Sequence, residues 1–353
     1  MKKRNRRILS LTVAILMLLV TVLSSSAAGI TLTPIVQTPA ALTRILSAHP
    51  ELSVASSQPL YSPTNEITAY YYTFSPTGYA IASVQGEVVE WSPTATREIP
   101  ANQTVYYAGP LSYFTKSGVS YVDVYSGETC SAAVMTALYA EYESIVQAHA
   151  VLADVAPAGV VLPELDGTYT NYTTYTPDPS VHDTCTCSYE DICGSIATAM
   201  YLMYYNDYIC PGIIPTGIGG STANSIVHYL LAYIERNGIG VGSTTSDVVT
   251  GINEFISHHH YTSTYLGYSA TSDDYLSFSE YVALIVVEDY PVMLDLDSTA
   301  WLEIEHWVVG YGYEETIEDG NVVSQYYIVC DGWGDSNVYV LPDFIDDGVY
   351  ITN

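Results

Sequence analysis

Three side chains far apart in the chain have the types that nucleophilic catalysis needs: Cys193, His306 and Asp331. Cys193 stands directly before Gly194 and a run with few helix breakers, "CGSIATAMYLMYYND". The recurrence of Ile196, Ala199, Met200 and Met203 predicts a helix with one buried face. Cys193 precedes that face by a turn, at the positive end of the helix dipole, where a thiol pKa is lowered and the thiolate is favoured. Gly194 allows a reacting carbonyl to come close to the backbone. His306 opens "HWVVGYGY", whose alternation predicts a strand with the histidine at its mouth. Asp331 ends "YYIVC" just before "GWG", at a sheet end beside a turn. A cysteine nucleophile needs a base and a group to orient that base. His306 can be the base, and the Asp331 carboxylate can hold its second nitrogen and fix its tautomer. Each residue alone also has a plainer reading: a buried thiol, a satisfied core histidine and a turn former.

The elements that must position these groups fall in the second half. From about residue 178 the Cys193 helix is followed by "TANSIVHYLLAYIERNG" and "TSDVVTGINEFISHH", both with apolar periodicity, then by "SFSEYVALIVVEDY". Strands follow: "PVMLDLD", "EHWVVGYGY", "QYYIVCDGW" and "NVYVLP". Helices first and strands last predict an α+β domain with an antiparallel sheet over 178–353. Asp295 and Asp297 alternate in one of these strands and read as a solvated or pocket-edge pair. The first half reads differently. Residues 29–150 hold short β-branched and aromatic runs, "ITAYYYTF", "GYAIASV", "GEVVEWS" and "VSYVDVYSG", separated by turn signals, with a short helix before them and an Ala-rich helix over 130–152. Residues 151–177, rich in Pro, Gly, Thr and Tyr, read as a linker.

The first 28 residues are a basic stretch, an apolar run and a small-residue cleavage site, the pattern of a secretory signal peptide. This predicts a secreted protein with no membrane contact beyond that segment. The net charge is -29, and five of the nine basic residues lie in the signal stretch. Only Arg44, Arg97, Lys116 and Arg236 remain, so the surface repels phosphate backbones and nucleic acid is excluded as a partner. Six cysteines are too few for a disulfide scaffold at this length. The three histidines 258–260 are adjacent, do not face one way, and read as a solvated helix end.

Taken together, the three motifs resemble papain-fold cysteine peptidases. The nucleophile helix resembles that of secreted bacterial branches such as streptopain-like enzymes and the bacteriocin-processing-peptidase-like group. "EHWVVGYGY" resembles their histidine strand, and "IVCDGWGDSNVYV" the strand and turn that carry the third residue. The resemblance implies Cys193 as nucleophile, His306 as base and Asp331 as orienter, with no cofactor. It implies a peptide or protein substrate, cut through a thioester intermediate. "YYYTFSPTGYAIASVQGEVVEWSP" and "YAGPLSYFTKSGVSYVDVYSGE" resemble the β-rich pro-region of streptopain-like zymogens. This implies that 29–150 is an inhibitory prodomain, removed by cutting near the linker. One departure stands out. These families carry a Gln shortly before the cysteine, and here Cys187 takes its place. Losing one oxyanion donor costs about a hundred- to a thousand-fold in rate. Two alternatives therefore stay open: a catalytically silent module of the same fold that serves in binding, and a zinc site built from His182, Cys185 and Cys187.

Overall fold

Short strands rich in tyrosine and β-branched residues cannot bury two faces alone, and here they are joined into one continuous sheet. The computed structural model describes residues 38–100, 102–153, 166–181, 192–218, 222–238, 242–259, 267–274, 276–297 and 305–353. The signal stretch and the proposed zinc ligands His182, Cys185 and Cys187 lie outside these residues. A first helix, α1 (Ala40–Ala48), leads into a meander of β1 (Ser53–Tyr61), β2 (Ile67–Ser75), β3 (Tyr79–Ser83) and β4 (Val88–Ser92). β5 (Val105–Tyr107) lies parallel to β1, and β6 (Tyr113–Ser117), β7 (Ser120–Asp123) and β8 (Thr129–Ser131) extend that edge. The helix α2 (Ala132–Ala153) follows, burying Met135, Leu138, Tyr142 and Val146.

The second half opens with β9 (Gly167–Tyr172) and three helices: α3 (Cys193–Tyr204), α4 (Ala223–Ile234) and α5 (Thr245–His259). Next come β10 (Ser269–Asp274) and α6 (Phe278–Ala283), whose Ser277 and Glu280 form a capping box. β11 (Val292–Asp297), β12 (Glu305–Glu318), β13 (Asn321–Cys330), β14 (Val338–Val340) and β15 (Asp347–Thr352) complete the chain. Across the sheet the order is β10, β15, β11, β12, β13, β14, then β4, β3, β2, β1, β5, β6, β7, β8. The two halves meet where β14 pairs antiparallel with β4, through Tyr339 opposite Trp91 and Val340 opposite Glu90. The protein is thus α+β, with a large, mostly antiparallel sheet. Among the described residues, no helix is long and apolar enough to cross a membrane.

Several expectations change. The helix α3 is not buried on one face only. Gly194 to Leu202 are all buried, while Met203, read as a core residue, keeps part of its surface open. A helix apolar all round sits inside the fold, and α3 packs between α4 and the strands β11 and β12. The strand β9 falls within the stretch read as linker and pairs with the outer half of β12, from Gly312 to Ile317. β15 inserts between β10 and β11. Asp295 is buried at 3% exposure instead of solvated. Many tyrosines have a structural role: their rings fill the core, and some of their hydroxyls reach main-chain acceptors. Tyr205 donates to the Ile351 carbonyl at 3.0 Å and Tyr281 to that of Gly312 at 2.8 Å.

Candidate functional site

Cys193 is the first residue of α3 and the least enclosed of its first turn. The backbone N–H of Trp307 donates to its sulfur. Trp307 follows His306 on β12 and is itself fixed, its indole N–H donating to the Ser243 carbonyl at 2.8 Å. The register of the sheet thus sets the start of α3 beside the base predicted from sequence. His306 Nε2 donates to the Asp331 backbone carbonyl at 2.7 Å. In a neutral ring this leaves the lone pair on Nδ1. The imidazole also stacks on Trp333, with ring centroids 3.9 Å apart and planes 8° from parallel. Gly332, at φ 79°, joins Asp331 to Trp333; a Cβ there would stand 3.6 Å from the imidazole Cε1.

His306 and Asp331 therefore meet, but not through the group expected. The Asp331 carboxylate points elsewhere. One oxygen accepts the backbone N–H groups of Trp333 and Asp335, each at 2.9 Å, which is the turn-forming role. The other accepts Arg97 Nη2 at 2.5 Å. Asp331 is fully buried, and the Arg97 side chain is 2% exposed. Arg97 belongs to the first half of the chain, in the segment after β4. Its guanidinium also lies 4.0 Å from Glu90 and 3.9 Å from Asp335, and over the Tyr125 ring at 4.9 Å. Burial disfavours the Arg97 charge, but the surrounding phenols and carboxylates outweigh it and hold the guanidinium protonated. Glu90 is fully buried and accepts from Tyr79, from Tyr113 at 2.8 Å and from the Leu111 N–H at 2.7 Å. Burial raises its pKa, while Arg97 and these donors pull it back.

A second segment of the first half reaches the same place. Asp123 accepts the N–H groups of Tyr125 and Ser126, at 2.8 and 2.7 Å, and builds the turn between β7 and β8. The Tyr125 ring stacks on Trp333 with centroids 5.7 Å apart. Glu128, at the end of this turn, is near enough to Cys193 to raise its pKa.

The surroundings of Cys193 work against its thiolate. Burial pushes the thiol well above its usual range, and Glu235, Glu128 and Asp295 add to that, against the Trp307 N–H. The lowered thiol pKa expected from the helix terminus is therefore corrected: burial and three nearby acids raise it. The fold brings Cys193, His306 and Asp331 to one region. Sequence reasoning missed Arg97, Tyr125, Glu128 and Glu235. The scarcity of basic residues was the one signal that could have pointed to Arg97. Cys187, at the place of the usual oxyanion Gln, lies outside the described residues. Of the histidine run, His258 and His259 close α5, and His259 Nε2 lies 3.0 Å from the Tyr229 hydroxyl. Among the described residues, no three His, Cys, Asp or Glu side chains gather as a metal site. No family model matches the chain, and no curated protein matches it.

Proposed function

We propose that the protein is a secreted cysteine endopeptidase of papain-like fold, made as an inactive precursor whose first half is the inhibitor. The observation that carries this reading is the Cys193 site. A cysteine opens a buried helix, its sulfur accepts the N–H of the residue after His306, and Asp331 holds that histidine. In the reaction His306 takes the thiol proton at Nδ1, and the Cys193 thiolate attacks the peptide carbonyl. The tetrahedral intermediate collapses to a thioester as the imidazolium gives its proton to the leaving amine. Water, deprotonated by His306, then attacks the thioester and releases the acid and the thiol. The Cys193 backbone N–H is one candidate oxyanion donor. No cofactor is required.

The precursor form is supported by what covers the site. Arg97 occupies the Asp331 carboxylate, Tyr125 stacks on the tryptophan that stacks on His306, and Glu128 disfavours the thiolate. The decisive experiment compares intact masses of the full protein and Cys193→Ala, each incubated alone. Loss of the first half from the normal protein only is the expected result. Equal cutting of both assigns the processing to other proteases. No cutting of either, with no rapid alkylation of Cys193 after the first half is removed, leaves the silent binding module as the reading.

A further inference from the structure

Glu235 lies directly after α4 and is 5% exposed. Its carboxylate is aimed at the first turn of α3. Oε1 accepts the Ser195 hydroxyl at 2.6 Å, and the Ser195 backbone N–H donates to the same carboxylate. Oε2 is buried with no hydrogen-bond partner among the described residues. The helix needs this carboxylate, because Ile192 at its N-cap provides no side-chain acceptor. The approach is close. Gly194 packs against Ser243, whose hydroxyl stands 1.9 Å from where a Gly194 Cβ would be.

The dipole at a helix N-terminus favours an ionised carboxylate, while burial of Glu235 disfavours it. The same charge opposes a thiolate two residues earlier. One side chain thus sets a capped helix against an ionised sulfur. We propose that Glu235 is a positioning residue for Cys193: ionised, it caps α3 and opposes the thiolate; protonated, it keeps the Ser195 bonds and no longer opposes it. This deepens the peptidase reading, since it makes ionisation of that site's nucleophile depend on a second titrating group. Burial holds Glu235 up at about 7, against the pull of the Ser195 donors, and Asp247 of α5 adds to the rise. Two further acids bear on Cys193, Glu128 from the first half and Asp295 from β11, while His306 precedes Trp307, whose N–H meets the sulfur.

The test is the alkylation rate of Cys193 by iodoacetamide in the full chain, between about pH 5 and pH 10. Peptide mass mapping separates Cys193 from the other five cysteines. With Glu235→Gln, Cys193 should react about three- to thirtyfold faster at pH 8, as expected for one unit charge at this range, while near pH 5 the two proteins coincide. Ser195→Ala removes one donor, so the Glu235 inflection should move to higher pH. Superimposable profiles for Glu235→Gln and the normal protein, alongside a changed unfolding temperature, would make Glu235 a structural cap only and overturn the proposal. If Glu235→Gln does not fold, an unmoved inflection in Ser195→Ala overturns it equally. Alkylation reads the thiol and not hydrolysis. A shifted profile in a protein that cuts no peptide therefore sinks the peptidase reading and leaves this one standing.

Discussion

Arg97 is one cation facing two buried acids, Asp331 and Glu90, and its removal leaves both without a counter-charge. Breaking a buried ion pair from one side costs about 3–5 kcal/mol. Arg97→Met should therefore lower the unfolding free energy by about that amount, measured by urea titration of the full chain. Arg97→Lys should cost less, because it keeps the charge but loses the planar fork that reaches several acceptors. At Cys193 the expectation concerns chemistry: Cys193→Ala removes all hydrolysis and leaves the fold intact, read as unchanged circular dichroism beside lost activity. The types and chain order of Cys193, His306 and Asp331 were legible in the sequence, because alternation and helix periodicity place a residue at an element's end. The direction of the Asp331 carboxylate was not. Its partner lies 234 residues away, and no local pattern encodes so distant a pair.

The elements around α3 make predictions of their own. Glu235 has a folded pKa of about 7 against an ordinary value of 4.5. A raised carboxylate binds its proton more tightly in the folded state. Its contribution is fully present below about pH 4.5 and is lost as pH rises through about 7. The size is up to about 3 kcal/mol. The normal protein should lose stability between pH 5 and pH 8 relative to Glu235→Gln, which does not titrate, as chemical denaturation at each pH would show. Gly194→Ala brings a methyl against Ser243 and should cost about 1–3 kcal/mol by overpacking. Adding Ser243→Gly should recover part of the loss, which a double-mutant cycle measures. Helices with clear periodicity and caps, such as α5 and α6, were readable from the chain. The strands β1, β9, β10 and β15 were not. "SVASSQPLY" and "SATSDD" carry little apolar signal, and their pairing comes from neighbours distant in sequence.

For the whole molecule, the β14–β4 pairing and the Arg97–Asp331 contact hold the halves together without the connecting chain. A single cut between α2 and β9 should leave two fragments migrating as one particle in gel filtration, separating only on a denaturing gel. Early separation would mean that the ladder is too short to hold. Such continuity was not legible, because either half alone reads as a self-sufficient set of elements. The composition adds one consequence. Beyond Lys116 the chain contains a single Lys or Arg, Arg236, which is exposed and bound to Glu254 at 2.8 Å. Without the first half, no Lys or Arg would stand beside the Asp331 carboxylate, which Arg97 now holds. The N–H groups of Trp333 and Asp335, both in the turn that follows β13, would still hold that carboxylate. Separating the halves should therefore loosen this turn, read as faster amide exchange at Trp333 and Asp335.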